Sequence, residues 1–296
     1  MCPVAVVRAR RQELQHLACQ LRPPHRLDAP LFSLVHEKKM NPISRRDVVS
    51  AIQAPSREPR RLAARLEPFD SYWQAPKDVE KGYESFAAYY RANYLPRLPQ
   101  DRNVSILVVS CGPGYLVHTL RERGYTNVVG IDSDPVKIEY AKRRGLPCDT
   151  ARAFDFLEGR VAAYDVIIPE QELNHLTLEE TIDFLKICKV ALRPGGQLLV
   201  YAMNGANPLV GSENLSHNID HFYNLTEYSL QQVLELAGFR EVRVFALKLY
   251  VFWMNPFNYV GLAVTSVLEL LLRAVFVLYG KKVRVLSKKL AASALA

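Results

Sequence analysis

The chain has 296 residues, a net charge of +8, 49% hydrophobic residues and 23% charged residues. That length suits one large domain with appendages, and the composition is globular rather than fibrous or fully disordered. The charge is local: residues 1–65 hold 13 Lys/Arg against 5 Asp/Glu and the remainder balances, so charge gives no support to a nucleic-acid-binding domain.

Residues 1–65 are rich in Arg, Pro and Ala without a sustained period, and read as a basic, largely disordered extension. Short helices near Arg8–Cys19 and Arg45–Ala54 are compatible with it, and Met40 is an alternative start to Met1. The run Met1–Val7 is too short for the apolar core of a signal peptide, and its arginines follow rather than precede it. Residues 66–100 change character. Tyr72, Trp73, Tyr83, Phe86, Tyr89, Tyr90 and Tyr94 crowd there, and Phe86, Tyr90 and Tyr94 recur at helical spacing. This predicts an aromatic helix packed on a sheet edge, in a position to act as a lid.

From residue 101 onward apolar strands alternate with helices, which predicts a parallel α/β sheet. Ile106–Ser110 runs into Cys111-Gly112-Pro113-Gly114, then a helix, then Val128–Ile131 ending at Asp132. Gly112 and Gly114 allow a sharp turn and close approach of a ligand. Asp132, 20 residues after Gly112, stands where a carboxylate accepts from both hydroxyls of a ribose. A third glycine would fall at Val117, which argues against a dinucleotide. Further strands are expected at Cys148–Ala151, Tyr164–Ile168, Gln197–Tyr201 and Arg240–Leu249. Helices are expected at Leu178–Ala191 and at Glu227–Ala237, the second with Thr226 as N-cap and Gly238 as stop. Leu192-Arg-Pro-Gly-Gly196 reads as a breaker between helix and strand.

Taken together, Val-Ser-Cys-Gly-Pro-Gly at 109–114, Gly-Ile-Asp-Ser-Asp-Pro at 130–135, Tyr-Asp-Val-Ile-Ile at 164–168, Asn-His-Leu-Thr at 174–177 and Leu-Arg-Pro-Gly-Gly at 192–196 resemble the class I S-adenosylmethionine-dependent methyltransferases. The resemblance covers roughly residues 80–290. It implies a doubly wound, mostly parallel seven-stranded Rossmann-like sheet with an antiparallel last strand, best matched by Val283–Leu290. It implies S-adenosyl-L-methionine as cofactor, held by Ser110, Cys111, Gly112, Gly114, Asp132, Ser133, Ala153 and Glu170. It also implies catalytic roles for His175, which matches the family's Glu-His-Leu histidine, and for His221, in the loop that faces the acceptor. Histidine suits proton removal from a hydroxyl because it titrates near neutrality. Four positions depart from the family pattern: Val108 and Asn174 replace acids, Ser110 replaces the first glycine, and Arg152 stands near the acid expected beside adenine. Glu170 is a candidate replacement for the carboxylate missing at Val108.

Glu170, Glu172 and His175 are spaced so that they could share a metal, yet the same spacing suits a plain strand end, and no metal is expected. Cys2, Cys19, Cys111, Cys148 and Cys188 are odd in number with no Cys-x-x-Cys pair, which argues against disulfides and zinc and for a cytoplasmic location. The polar loop Asn204–Asn214 carries Asn and Ser side chains suited to a sugar. Asn258–Tyr279 is an apolar stretch broken only by Glu269 and Arg273, an insertion spanning about 255–280. No acid follows Glu269, while six Lys/Arg do, so the insertion reads either as a membrane-surface contact or as a packing or homodimer face.

The leading function is an O-methyltransferase of a sugar, glycan or lipid-linked acceptor. The alternatives are a methyltransferase of a small phenolic or quinone-like acceptor, and a degenerate cofactor domain serving as a membrane-associated scaffold.

Overall fold

The apolar runs pair in parallel because helices cover both faces of each strand, so neither face needs polar residues. The computed structural model describes residues 76–170, 173–216, 221–247 and 257–296. The basic extension 1–65, Tyr72, Trp73, Glu172 and His217 lie outside the described residues.

The elements are α1 (Pro76–Asn93), β1 (Ile106–Val109), α2 (Tyr115–Glu122), β2 (Val128–Asp132), α3 (Pro135–Arg143), β3 (Cys148–Thr150), α4 (Ala153–Leu157) and β4 (Tyr164–Pro169). They continue with α5 (Leu178–Ala191), β5 (Leu192–Met203), α6 (Gly211–Ser216), α7 (Glu227–Leu236), β6 (Arg240–Ala246), α8 (Phe257–Leu278) and β7 (Lys289–Leu295). The seven strands form one sheet in the order β3-β2-β1-β4-β5-β7-β6. All neighbours are parallel except β7, which runs antiparallel to both β5 and β6.

The four residues of β1 are fully buried and divide by alternation. Ile106 and Val108 join one core with Tyr83, Tyr90, Leu116 and Ile168. Leu107 and Val109 join the other, with Ile167, Phe184, Leu185 and Leu234. Capping sets the helix starts. Thr177 accepts from Glu180 N while Glu180 reaches back to Thr177 N, and Thr226 and Ser229 do the same for α7.

Two expectations about the last strands need correction. The final strand is Lys289–Leu295, not Val283–Leu290. Val285, Leu286 and Ser287 are buried as expected of a strand, but their carbonyls accept from the side chains of Asn204 and Asn207 instead of a neighbouring strand. The true strand is an alanine-rich run whose β-propensity is low and whose pairing with β5 and β6 decides its state. The expected breaker Leu192–Gly196 is the start of β5. A register shift opposite Tyr164 and Val166 and Gly195 at φ +76° absorb the irregularity.

Gly130, in the middle of β2, is the tightest point beneath the glycine turn. A Cβ there would sit 2.8 Å from both Cys111 Sγ and Cys148 Sγ and 2.9 Å from Val117 Cγ2. Gly130→Ala is therefore expected to overpack the core and cost about 1–3 kcal/mol, read by urea denaturation. An unchanged midpoint would mean that β3 and the turn part without cost.

Candidate active site

In a doubly wound sheet the cleft for a ligand opens at the carboxyl edge, where the strand order reverses. Here the order reverses between β1 and β4. The turn after β1 and the loop after β4 meet there, and Glu170 N donates to Val109 O at 2.8 Å.

The glycine turn is held by a buried carboxylate. Asp132 Oδ2 accepts from Gly112 N at 2.8 Å and Oδ1 accepts from Asp134 N at 2.9 Å. Burial pushes the Asp132 carboxyl above its usual range, and the two backbone amides and Lys137 oppose that shift. A carboxylate has about four lone-pair sites, so acceptor capacity remains for two further donors. Gly112 and Gly114 take φ +55° and +83°. Ser110, where the family pattern has glycine, is also left-handed at φ +55°. A Cβ on Gly112 would meet nothing within 4 Å, so the turn borders open space. Cys111 is buried, and the Cys148 thiol beside it together with burial raises its pKa well above normal. Its Sγ packs against the space of Gly130 beneath the turn.

Glu170 sits in an aromatic cage. Tyr90 Oη donates to its Oε2 at 2.7 Å. The Tyr94 hydroxyl lies beside the same carboxylate, and neither it nor Glu170 Oε1 completes a hydrogen bond of good geometry. Burial raises the Glu170 pKa; Tyr90, Tyr94 and Lys289 pull it back. Glu170 follows Ile168 by two residues, and Ile168 pairs with Val108, so strand alternation puts Glu170 on the same face as Val108. A carboxylate is thus present on that face although Val108 itself is apolar and buried.

Helix α1 crosses above this turn. Tyr83 Oη donates to Pro113 O at 2.5 Å, and Phe86 stacks on Tyr115 with centroids 5.0 Å apart. Gly82 lets the Tyr115 ring occupy the space of a side chain. Tyr90 and Tyr94, whose spacing predicted a packed helix that could act as a lid, also bring their hydroxyls to Glu170, Tyr90 as a hydrogen-bond donor. Their hydroxyls were the unused signal.

The two candidate histidines come together. Their rings meet edge to face with centroids 4.9 Å apart. His175 ends a short 3-10 turn (Leu173–His175), and Phe222 N donates to Asn174 O at 3.0 Å, tying the two loops. His221 Nδ1 lies 2.6 Å from Asn214 O. A carbonyl only accepts, so Nδ1 carries the proton and the basic lone pair of the neutral ring is on Nε2. The sequence flagged Asn214 only as part of the polar loop Asn204–Asn214, not as a partner of His221. Asn214 Nδ2 is buried without a partner, as is Asn224 Oδ1. His118 is occupied elsewhere, paired with Glu122 and edge-on to Tyr83.

The remaining expected positions are less enclosed. Ser133 is exposed after β2, and Ala153 is half-buried at the first turn of α4. Arg152 is exposed just before it, so no acid stands at that point. The loop Asn204–Asn214 does not offer its first asparagines to a sugar. Asn204 Nδ2 donates to Val285 O and Ser287 O, and Asn207 Nδ2 to Leu286 O, while their Oδ1 atoms accept from Ala206, Leu209 and Val210 amides. They fasten the loop to the segment before β7. Among the described residues no three His, Cys, Asp or Glu side chains gather as a metal site.

Residues 106–196 match the methyltransferase-domain family. A curated relative, the ubiquinone biosynthesis O-methyltransferase of Saccharophagus degradans, is 28% identical over 167 residues, half of this chain and 68% of that protein. Among solved structures, an S-adenosylmethionine-dependent methyltransferase of Archaeoglobus fulgidus superposes with a TM-score of 0.56 at 16% identity, covering 78% of this chain and all of that one. Haemonchus contortus phosphoethanolamine N-methyltransferase 2, solved with S-adenosyl-L-methionine, gives 0.52 at 13% identity over 78% of this chain and 60% of that one. At these identities the structural likeness is one of fold.

Tyr90→Phe removes the Tyr90 hydrogen bond from the buried Glu170 carboxylate. It is expected to cost about 1–3 kcal/mol at neutral pH. Because Tyr90 favours the ionised form, the difference from wild type shrinks as pH falls through the raised Glu170 pKa. Urea denaturation at pH 7.5 and pH 5 measures both; a pH-independent difference would mean Glu170 is not the group affected.

Proposed function

We propose that this chain, a class I S-adenosylmethionine-dependent methyltransferase, delivers its methyl group to an oxygen of a sugar, glycan or lipid-linked acceptor in the cytoplasm. The observation that carries the oxygen-directed reading is the His175–His221 pair, with Asn214 O fixing the His221 tautomer so that Nε2 is the basic atom. An attacking hydroxyl must lose its proton as the new bond forms, whereas an uncharged amine attacks without a base.

The residues at the turn fit the cofactor. The space beside Gly112, which a Cβ would enter, suits close approach of a ligand to the backbone. The Glu170 carboxylate, hydrogen-bonded by Tyr90 on Oε2 alone and with the Tyr94 hydroxyl nearby, suits an ammonium donor, the group that the methionine moiety carries. S-adenosylmethionine supplies an electrophilic methyl on a sulfonium. Asp132 would offer its remaining lone pairs to the ribose hydroxyls, and Glu170 would take the ammonium in place of the acid missing at Val108. Ser110, Cys111 and Gly114 shape the turn, Ser133 follows Asp132, and Ala153 would stand on the adenine side. Helix α1, anchored by Tyr83 on Pro113, covers the turn and keeps water from it. His221 takes the acceptor's proton on Nε2, and His175 packs against it and orients the ring. Among the described residues Cys111, Cys148 and Cys188 are buried and joined in no disulfide, which is compatible with a reducing compartment.

A second reading, methylation of a small phenolic or quinone-like acceptor, is favoured by the ubiquinone O-methyltransferase among the relatives. Labelling by the purified protein of crude glycan against phenolic extracts separates the two. Labelling of phenolics alone would remove the glycan reading.

Isothermal titration with S-adenosylmethionine and S-adenosylhomocysteine is expected to give micromolar binding that Asp132→Ala abolishes. A well-folded protein that binds neither would favour the scaffold reading instead. His221→Ala is expected to lower kcat by about 10²- to 10⁴-fold with cofactor affinity within twofold. A carboxylate binds an ammonium only when ionised, so affinity should fall as pH drops through the Glu170 pKa. That fall should come at higher pH than for an ordinary glutamate, and it should be blunted in Glu170→Gln. A pH profile identical in that variant would remove Glu170 from the ammonium site.

A further inference from the structure

Helix α8 is the apolar element that the sheet does not use. None of its residues from Val260 to Leu278 is buried, although this stretch has a mean hydropathy of 2.0. Val264, Val267, Leu270, Leu271, Val277 and Leu278 are each 59–85% exposed. Soluble proteins rarely leave so large a contiguous apolar surface uncovered.

Its few polar residues are not scattered. At about 100° per residue, Thr265, Ser266, Glu269 and Arg273 fall within one arc of roughly 100°. Thr265 and Glu269 are half-buried, and Arg273, at the edge of this stripe, reaches the domain, its Nη2 donating to Arg284 O at 2.8 Å. Leu262, Leu268, Leu272 and Phe276, half-buried, flank or share the stripe. The rest of the circumference, between Val260 and Leu278, is Val, Leu, Ala and Gly alone. The two charges that interrupt the apolar run therefore do not interrupt its outer face.

The connections limit what this surface can meet. Leu247, just after β6, donates its N–H to Lys289 O at the start of β7, so the insertion leaves and returns at one point of the sheet. A helix of 22 residues rises about 33 Å, enough to cross a hydrocarbon layer once. A single crossing would leave its first residue on the far side. Nine residues, 248–256, would then have to recross the layer; as a helix nine residues rise only about 14 Å, and lipid does not tolerate a more extended chain with unpaired backbone groups. The helix suits a bilayer surface, lying along it rather than through it.

Charge selects which surface. Beyond Glu269 the chain has no acid, and Lys281, Lys282, Arg284 and Lys288 follow the helix. Arg284 pairs with Glu227, at 2.6 Å, while Lys281 and Lys282 are exposed. Gly280, at φ +70°, ends the helix immediately before these lysines. Exposed lysines at the end of an apolar helix fit anionic headgroups beside acyl chains.

We propose that α8 is a membrane-docking element that lies in the headgroup–acyl boundary of an anionic bilayer, with Val264, Val267, Leu270 and Leu271 in the acyl region and Lys281 and Lys282 at the headgroups. Methyl transfer does not depend on it chemically; its role is to hold the enzyme at a surface where a lipid-linked acceptor is presented.

Flotation of the full-length protein with phosphatidylcholine vesicles, with and without phosphatidylglycerol, tests this. Wild type is expected to float with the anionic vesicles and at least tenfold less with neutral ones. Val267→Glu/Leu271→Glu should abolish flotation, because these side chains are exposed and their replacement leaves the core intact. Lys281→Glu/Lys282→Glu should weaken it at least fivefold. An unchanged thermal midpoint and unchanged S-adenosylhomocysteine affinity in both double variants show that they are folded, and keep this result separate from the methyltransferase reading. Flotation that survives Val267→Glu/Leu271→Glu would overturn the proposal and point to the basic residues 1–65. Absence of flotation would also overturn it. A dimer that Val267→Glu/Leu271→Glu converts to a monomer, without flotation, would identify a second copy as the occupant.

Discussion

The site depends on one buried carboxylate. Asp132 ends β2, and its two oxygens bind the amide of Gly112 across the sheet and the amide of Asp134 two residues on. The glycine turn after β1 and the start of α3 are thereby locked to one group. Removing an ionised partner from buried amides costs more than the bond is worth in isolation, because the amides lose water as well. The same carboxylate therefore serves the fold and, on the proposed reading, the ligand. Its raised pKa is the cost of burial, partly offset by the amides that it holds.

Around that lock the polar groups divide into two kinds. Asn204 and Asn207 spend their side chains on the backbone before β7, where an edge of the chain would otherwise bury unpaired carbonyls. Glu170 Oε1, Asn214 Nδ2 and Asn224 Oδ1 are buried without partners. A folded protein keeps few such atoms, and those that persist call for an explanation. The first lies in the cage beside the glycine turn, and the second belongs to the residue whose carbonyl meets His221. Tyr94 Oη and Asp134 Oδ2 are likewise buried without partners, and the first of these stands beside Glu170.

Much of the fold was legible in the sequence. The apolar runs at 106–109, 128–132 and 164–169 have the length and β-branched content of buried parallel strands, and the helix Leu178–Ala191 carries both its cap and its period. β7 was misplaced because Val283–Leu290 has the stronger intrinsic preference, whereas Ala291–Leu295 is a strand only by pairing on both sides. The start of β5 was read as a breaker because proline and glycine usually end elements, and a register shift accommodates them here. In the site, Asp132 and the glycines were legible because a turn needs left-handed residues and an acid at a definite distance. The cage of Tyr90 and Tyr94 on Glu170 was not, since 80 residues separate Tyr90 from Glu170 and periodicity reports only which face packs.

The sequence by itself determined the local chemistry: where strands and turns fall, which residue types stand at the carboxyl edge, and that the carboxyl-terminal insertion is apolar and basic. These follow from periodicity, backbone freedom and charge, which are properties of short stretches. Tertiary structure alone decided which groups meet. It brought His175 to His221, gave His221 its tautomer through Asn214, placed a carboxylate on the Val108 face through the register of β1 with β4, and returned the α8 insertion to the point where it left. Three of these join distant segments through strand order and register, and the His221–Asn214 contact, seven residues apart, joins a helix to a loop that has no period to announce it; no pattern within a single segment encodes any of them.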